Sequence, residues 1–463
     1  MQTGPARLAA GTAGASITPD RLLPLEGYGR RTDPATGTLD PVEVRAIVFD
    51  DGTSRTAIVA ADLGGIEAAS VERIRTAAAA AGGIPSTQII VTYSHTHGAP
   101  AVTPFGGVAV DVAYVRWVEQ TIAEVVVAAS RRLQPVTVGG GEGHVDFNVN
   151  RRRRTPQGML MRANPAGVVD RRVRVLRVDP ADGPPPPGTL GGKALPQCDP
   201  VAVLFAYACH PTVLRGDNTR YSGDYPAAAR RFVEQAYRSD GQRVVRTEAL
   251  FLPGCFGNMR PNLLSPDGDF RGGTDHELTV LGRWLGSEVL QVAENICTEP
   301  VGGLAVGRQE VQLPYSHVPD EAELHAALGG RRRFWAEAML AKLEREGRLP
   351  ESEAAEVQVL RLGHHWVVAL PGETTLEIGL AIERGLVELG LAQPERGDLA
   401  LVLGYANSYV GYLCSASVMT EGGYEPATSY PDYFRPAPFG LGTEPALVQA
   451  SLSLAQKLGA APA

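Results

Sequence analysis

Four short apolar runs, each followed at once by polar residues, constrain the fold of this chain more than any other feature. The runs are residues 88–91, 201–207, 250–252 and 366–370. Short apolar runs bounded by turn residues are typical of buried strands, and sites of α/β proteins gather where such strands end. The sequence therefore predicts an α/β fold with a site assembled at the carboxyl ends of several strands.

The first run leads to two histidines, His95 and His97, before a Gly-Ala-Pro turn. Side chains two residues apart on a strand share a face, so both imidazoles can point into one cleft. Imidazole is the commonest ligand of zinc-like metals and the usual proton carrier near neutral pH. A pair of polar loop residues is the plainer alternative. The recurrence of polar residues at the other strand ends favours a site.

The remaining pattern predicts a single large domain, residues 13–463, with mixed sheets flanked by helices. Two strand-like segments flank the turn residues Asp51 and Gly52. A helical stretch then leads to the strand before His95, which outlines a strand–helix–strand crossover. Further strands are predicted at 172–179, 365–370 and 399–403, and helices at 66–81, 112–133, 276–297, 321–347 and 444–458. Residues 180–199, rich in glycine and proline, are predicted to form an inserted loop.

Composition limits the partners and the location of the protein. The 463 residues carry a net charge of −8, which gives no general attraction for nucleic acid. No apolar run is long enough to span a bilayer, and from the first residues we expect no signal peptide. Five widely spaced cysteines fit reduced thiols. We expect a soluble cytoplasmic protein with a small-molecule substrate and no stable membrane association, while the sequence leaves the oligomeric state open.

Two further strand ends supply His210, in Cys-His-Pro-Thr, and Glu373, in Leu-Pro-Gly-Glu. Two or three imidazoles with one carboxylate are the makeup of a mononuclear catalytic zinc site. Taken alone, His210 fits a hydrogen-bonded core histidine, and Glu373 fits a cap for the helix predicted after it. Their joint occurrence at strand ends favours a metal site.

Together, several motifs resemble the catalytic domain of the neutral/alkaline ceramidase family. The motifs are Gly27-Tyr28-Gly29, Ser94-His95-Thr96-His97, Asn150-Arg151, Cys209-His210-Pro211-Thr212, Leu370-Pro371-Gly372-Glu373, Asn407-Ser408-Tyr409-Val410-Gly411-Tyr412 and Tyr424-Glu425. The resemblance implies Zn2+ bound by His95, His210, Glu373 and Tyr412. It also implies that His97, Arg151 and Tyr424 contact substrate or stabilise an oxyanion, and it places Gly27 at the substrate. An ordinary buried aromatic is the alternative for Tyr412.

The sequence departs from that family at Arg260. The family has a catalytic serine in a Gly-Asp-x-Ser-Pro-Asn motif, and the matching stretch here is Gly257-Asn258-Met259-Arg260-Pro261-Asn262. A guanidinium stays protonated and offers only donors, so it cannot be a nucleophile. Hydrolysis is then expected to use zinc-activated water. Arg260 fits an anchor for a substrate carboxylate or carbonyl, with an ion pair to Asp267 or Asp269 as the alternative.

The second departure is length, because the ceramidases carry a further immunoglobulin-like domain that we do not expect here. No apolar surface helix indicates contact with lipid, so a soluble amide is a better expectation than ceramide. The leading hypothesis is a zinc-dependent amidase acting on linear amides. The alternatives are an esterase or lactonase on the same zinc site, or a metal-containing binding protein that has lost catalysis. A purely structural metal is disfavoured because such sites are usually rich in cysteine.

Overall fold

A computed structural model describes residues 8–29, 31–181, 189–190, 193–194, 199–237, 246–330 and 332–460. In these ranges the strands are β1 Ala9–Ser16, β2 Gly37–Thr38, β3 Glu43–Asp50, β4 Arg55–Ala61, β5 Ile89–Tyr93, β6 Gln134–His144, β7 Asn148–Thr155, β8 Gly158–Asn164, β9 Arg172–Pro180, β10 Thr189–Leu190, β11 Lys193–Ala194, β12 Ala202–Tyr207, β13 Arg220–Tyr221, β14 Glu248–Pro253, β15 Met259–Pro261, β16 Leu304–Pro314, β17 Ser352–Leu362, β18 His365–Ala369, β19 Glu373–Thr374, β20 Ala400–Leu403 and β21 Tyr412–Leu413. The α-helices are α1 Ala68–Gly82, α2 Val112–Ser130, α3 Asp224–Ala236, α4 Asp275–Ala293, α5 Glu321–Ala327, α6 Arg333–Glu346, α7 Leu376–Glu388, α8 Ala416–Glu421 and α9 Thr443–Ala460.

The larger sheet has eight strands in the order β14-β12-β9-β6-β1-β3-β4-β5. The pairs β4–β5 and β12–β14 are parallel, while the other neighbours run antiparallel. Strands β3 and β4 form the predicted hairpin around Asp51 and Gly52, and α1 makes the predicted crossover from β4 to β5. The mixed α/β fold class expected from the sequence is confirmed.

A second sheet of four strands, β16-β17-β18-β20, lies against the first. One buried apolar cluster joins side chains of both sheets, among them Ile47, Leu204, Leu250, Leu360 and Val367. Three other clusters cover the outer faces: α1 and α2 lie over β3–β5, α3 and α4 over β9–β14, and α7 and α9 over the second sheet. The result is two sheets packed face to face between layers of helices.

Local sequence explains where the outer helices form. Asp111 precedes α2, and its side chain accepts the backbone N–H of Tyr114 at 3.0 Å, which caps the helix. The predicted apolar stripe of α2 faces the larger sheet. Val115 is partly buried. The other four members of the stripe are buried: Val118, Ile122, Val125 and Ala129. Helix α2 therefore packs as its periodicity predicts.

Two predictions need correction or remain open. The single helical stretch predicted over 321–347 is wrong, because Gly329 and Gly330 separate α5 from α6 and glycine favours neither helix. Of the loop predicted over 180–199, the structure describes its ends and a short pair of strands, β10 and β11, and the rest lies outside the described residues. Among the helices of the described ranges, none has the length and apolarity needed to cross a membrane.

Candidate metal centre

Strand ends of both sheets bring three predicted ligands together. His95 follows β5 and His210 follows β12 in the larger sheet. Glu373 lies in β19, a few residues beyond β18 of the second sheet. Each of β5, β12 and β18 belongs to a parallel pair, and loops at the carboxyl ends of parallel strands converge on a shared site. The predicted position of the site at strand ends matches this arrangement.

The ligand atoms of these three side chains lie within 4.8 Å of one another, and all three residues are buried. Nε2 of His95 is 3.2 Å from Oε2 of Glu373, and Nε2 of His210 is 3.1 Å from the same oxygen. Such a group can hold a metal ion, and we call His95, His210 and Glu373 together the metal group.

Backbone carbonyls orient both imidazoles. Nδ1 of His95 is 2.5 Å from the carbonyl oxygen of Gly64, and Nδ1 of His210 is 2.8 Å from that of Met259. A carbonyl oxygen only accepts hydrogen bonds, so Nδ1 is the donor in both rings, and in the neutral tautomer with this proton Nε2 presents a lone pair. Two such nitrogens and a carboxylate oxygen would repel one another at these distances unless a cation or proton lay between them. The donor set therefore fits a metal ion, and its orienting hydrogen bonds are those that metal-bound histidines usually make.

Two tyrosines hold the second oxygen of Glu373. The hydroxyl of Tyr433 donates a hydrogen bond to Oε1, and that of Tyr409 lies 3.4 Å from the same atom. Oε2 is thereby left facing the imidazoles. Burial raises the pKa of Glu373, but the charges and N–H donors of the two imidazoles, when these are protonated, outweigh it and hold that pKa well below its usual range. A cation bound at the same place would act in the same direction. The alternative of a helix cap is wrong, because α7 begins at Leu376 and the Glu373 carboxylate points elsewhere.

Tyr412, the fourth predicted ligand, lies beside this group. It pairs with Glu373 across the short β19–β21 ladder. Its hydroxyl accepts a hydrogen bond of 2.7 Å from Nη2 of Arg151, whose Nη1 lies 3.5 Å from Nε2 of His210. Burial raises the pKa of Tyr412 well above its usual value. A nearby dication would favour the ionised phenol, so a role for Tyr412 as a ligand stays a prediction.

Arg151 is held by a buried carboxylate that the sequence did not single out for a role. Oε1 of Glu425 accepts from Nε of Arg151 at 2.8 Å, and Oε2 accepts from Nη1 of Arg152 at 2.5 Å. The ring of Tyr424, the residue before Glu425, lies 5.6 Å from that of Tyr412. Arg151 thus lies beside His210 and Tyr424 beside Tyr412, and their catalytic roles stay predictions.

His97 lies at the solvent side of the group and is only partly buried. Its Nε2 is 3.2 Å from Nε2 of His95, and none of the described residues forms a hydrogen bond with its Nδ1. Gly27 stands against it: the backbone has a φ of 97°, and a Cβ there would lie 2.3 Å from Cγ of His97. The ring of Tyr28 meets that of His97 edge-on at 4.6 Å. Only glycine at position 27 leaves room for this imidazole.

Arg260 follows the residue whose carbonyl orients His210. Its guanidinium lies over the ring of Phe270, with Cζ 4.2 Å from the ring centroid. The alternative of an ion pair with Asp267 or Asp269 is wrong, because Asp269 pairs with Arg162 at 2.8 Å and Arg260 has no acidic partner in the described ranges.

Comparison with solved structures identifies the fold as that of ceramidases. The neutral ceramidase from Pseudomonas aeruginosa matches with a TM-score of 0.72 at 18% sequence identity, over 98% of this chain and 75% of that chain. A ceramidase complexed with C2 matches with the same TM-score, identity and coverage. The sequence matches no family model, and it has no significant match among curated proteins. At this identity the likeness shows a shared fold.

Sequence reasoning missed several residues that shape the site. Tyr433 lies in a short turn without a motif, so nothing in the sequence connects it to Glu373. Tyr409 stands inside the Asn-Ser-Tyr motif and could have been found as a candidate from it. Tyr28 lies between two glycines of a noted motif, yet its contact with His97 depends on the fold. Loop residues of this kind are positioned by tertiary contacts alone.

Proposed function

We propose that this protein is a zinc-dependent hydrolase that cleaves the carbon–nitrogen bond of a soluble linear amide in the cytoplasm. One observation carries the proposal: two imidazole nitrogens and one carboxylate oxygen converge in a buried group, 3.1 and 3.2 Å apart, each imidazole oriented through its other nitrogen. The ceramidase fold supports amide chemistry by likeness of fold, because ceramide is an amide.

The donor atoms favour zinc among the divalent metals. Imidazole and carboxylate ligands with an open position are typical of catalytic zinc, whereas structural sites are closed by four ligands, often cysteines. His95, His210 and Glu373 would hold the ion, and we assign Tyr412, the neighbour of Glu373 across the β19–β21 ladder, as the fourth ligand. Zinc bound there would polarise the substrate carbonyl and make water a better nucleophile at neutral pH.

We assign proton transfer and stabilisation of the oxyanion to three neighbouring side chains. His97 faces both the group and solvent, so its Nε2 can carry a proton to the departing amine. Arg151 presents donors beside His210, and Tyr424 stands against Tyr412, where both can stabilise the oxyanion that develops on the carbonyl. Gly27 keeps the space that His97 occupies.

The test combines metal analysis with a substrate panel. Purified protein is expected to contain one zinc per chain and to hydrolyse at least one linear amide, with activity lost in chelator and restored by zinc. His210→Ala is expected to lose both metal and activity. The matched control is His317→Ala, an exposed histidine outside the site, which is expected to retain both.

Other outcomes separate the alternatives. Full metal content and activity in His210→Ala would refute the assignment of the ligands. Turnover of esters or lactones without amides would show an esterase on the same site. Tight zinc without turnover of any substrate would favour a binding protein, the role that the arginine at position 260 also suits.

A further inference from the structure

Among the residues that the structure describes, Arg260 is a buried cation that no carboxylate contacts. Only 6% of its surface is exposed, and no residue in the described ranges forms a hydrogen bond with its buried Nε. Its contact with the ring of Phe270 satisfies one face of the guanidinium. No carboxylate in the described ranges pairs with it.

Elsewhere, the chain pairs its buried arginines with acids. Buried or nearly buried guanidinium groups meet carboxylates at 2.5–2.9 Å in the pairs Arg45–Glu248, Arg75–Glu356, Arg152–Glu425, Arg177–Asp179 and Arg230–Asp62. Burying an unpaired charge is costly, so a buried arginine normally has a partner. Arg260 differs from these arginines because no carboxylate in the described ranges pairs with it. It follows Met259, whose carbonyl contacts His210, so a charged group of a substrate could serve as its partner.

Two more arginines stand in this region: the charge of Arg215 acts on Arg260, and Arg31 lies against Tyr28. Neither forms an ion pair in the described part of the chain, although the charge of the Glu26 carboxylate acts on Arg31. Arg31 donates to the backbone carbonyls of Glu26, His97 and Asn218, and Arg215 donates to that of Phe270. Arg31 lies over the ring of Tyr28, with Cζ 5.4 Å from its centroid. Burial lowers the pKa of Arg31 to about 10. Burial, with the charges of Arg151 and Arg215 adding to it, also lowers the pKa of Arg260 to about 10.

Tyr28 connects these cations to the metal group. Its ring contacts His97 on one side. Burial raises the pKa of the Tyr28 hydroxyl, and the charges of three arginines, Arg260, Arg215 and Arg31, act against that rise. One carboxylate, Asp224, acts in the opposite sense, and it accepts hydrogen bonds from three backbone N–H groups. Tyr28, Arg31 and Arg215 are partly exposed, as is His97. A molecule that reached the metal group past His97 would therefore meet an excess of positive charge in a protein whose net charge is −8.

We infer that Arg260, Arg31 and Arg215 form an anion subsite that receives a carboxylate of the substrate, placed a few bonds from the scissile amide. The inference rests on the proposed function and names its substrate class: amides such as N-acylated amino acids or the monoamides of dicarboxylic acids. A guanidinium binds a carboxylate through two parallel hydrogen bonds, which also fixes its orientation. The reaction stays a hydrolysis in which water adds its oxygen to the carbonyl carbon, the carbon–nitrogen bond breaks and the amine leaves with a proton.

The first test measures binding to the metal-free protein, where no turnover occurs. Two matched ligand pairs are titrated by calorimetry in chelator: N-benzoylglycine against N-benzoylglycinamide, and N-benzylsuccinamic acid against N-benzylsuccinamide. At least one carboxylate is expected to bind about tenfold to a hundredfold more tightly than its neutral carboxamide, the range for a hydrogen bond to a charged group. Equal affinity within both pairs, or binding by neither carboxylate, would refute the subsite.

Variants assign the preference to its residues. Arg260→Met is expected to abolish the difference between the members of each pair, and Arg215→Met, which removes a partly exposed side chain, to reduce it. Arg162→Met is the control, because Arg162 is 45% exposed and pairs with Asp269. Retention of the full preference in both Arg260→Met and Arg215→Met would contradict the inference. If inorganic phosphate binds where the carboxylates do not, the carboxylate assignment is wrong.

Hydrolysis by the zinc-loaded protein separates this inference from the proposed function. Faster cleavage of the carboxylate member of a pair, lost in Arg260→Met at unchanged zinc content, would support both. Equal cleavage of both members would refute the subsite and leave the hydrolase standing. Binding that depends on Arg260, without cleavage of any amide, would refute the hydrolase and leave the subsite standing.

Discussion

At the scale of single residues, each ligand atom of the metal group is aimed by a second atom of its own side chain. His95 and His210 use Nδ1 for backbone carbonyls, and Glu373 uses Oε1 for two tyrosine hydroxyls. Because these hydrogen bonds fix Nδ1 of each histidine and Oε1 of Glu373, the side chains hold the remaining atoms, Nε2 and Oε2, in a defined orientation. Such support usually contributes about tenfold to a hundredfold to metal affinity or activity.

Glu425 provides a test of the buried charge network. Glu425→Gln leaves Arg151 and Arg152 without the carboxylate that both contact at 2.5–2.8 Å. Breaking a buried ion pair in this way typically costs about 3–5 kcal/mol, so we expect a loss of that order in the free energy of unfolding measured with urea. The control is Glu421→Gln, a half-exposed partner of Arg152, expected to cost at most about 1 kcal/mol. Equal losses in the two variants would show that the buried ion pairs of Glu425 stabilise the protein no more than the exposed pair of Glu421.

Gly27 tests whether the position of His97 matters for activity. Gly27→Ala places a Cβ 2.3 Å from Cγ of His97, so the ring must move. We expect kcat/KM to fall at least about tenfold while zinc content is unchanged, because His97 lies outside the three-ligand group. Gly52→Ala is the matched control, since Gly52 has a similar φ of 86° with nothing within 4 Å of a Cβ. A similar loss of activity in both variants would mean that backbone strain alone explains the effect.

At the scale of secondary-structure elements, the four strands that lead to candidate site residues are predicted from continuous apolar runs. β5, β12, β14 and β18 have this pattern because both faces are covered. The long strands β6, β16 and β17 were not predicted. β6 contains four glycines within five residues, where Ile296, Leu399 and Val292 leave no space for larger side chains. Glycine has a low propensity for strands, so the local sequence does not predict β6. The strand forms because close packing against these side chains requires residues without a Cβ.

The same distinction applies to the candidate site. His95, His210 and Glu373 follow apolar strands and carry recognisable motifs, so the sequence could place them, whereas Tyr412 is a candidate only through the family resemblance. The arginines around Tyr28 and the tyrosines on Glu373 come from separate loops, and only the fold brings them together. No sequence spacing encodes those contacts.

Packing between the two sheets can be tested at Leu204 of β12. Leu204 is fully buried in the cluster shared by both sheets. Leu204→Ala is expected to lower the free energy of unfolding by about 2–5 kcal/mol, through lost burial and the cavity it leaves. Leu160→Ala on β8, where the side chain is 38% exposed, is the control and should change it by less than about 1 kcal/mol. Comparable effects at the two positions would contradict the packing of the sheets described here.

At the scale of the whole molecule, the metal group joins loops from both sheets. Its ligands lie 115 residues apart between His95 and His210 and 163 residues apart between His210 and Glu373. A bound ion would therefore connect parts of the chain that are distant in sequence. Binding to the folded state alone also stabilises a protein by mass action.

Zinc is accordingly expected to raise the melting temperature of the metal-free protein. At about a hundred times its dissociation constant, zinc should add about 2.7 kcal/mol to the free energy of unfolding. Differential scanning calorimetry with and without zinc measures this, and Glu373→Gln is expected to remove most of the shift. His276→Ala, a substitution at the exposed start of α4, should leave the shift intact. An unchanged melting temperature in the wild-type protein would contradict a metal site formed on folding.

The most direct test of the central claim is anomalous X-ray diffraction at the zinc edge from crystals of the zinc-loaded protein. The account predicts one strong peak per chain, at about 2.0–2.2 Å from Nε2 of His95, Nε2 of His210 and Oε2 of Glu373. A peak at any other position, or no peak in protein that binds zinc stoichiometrically in solution, would contradict it.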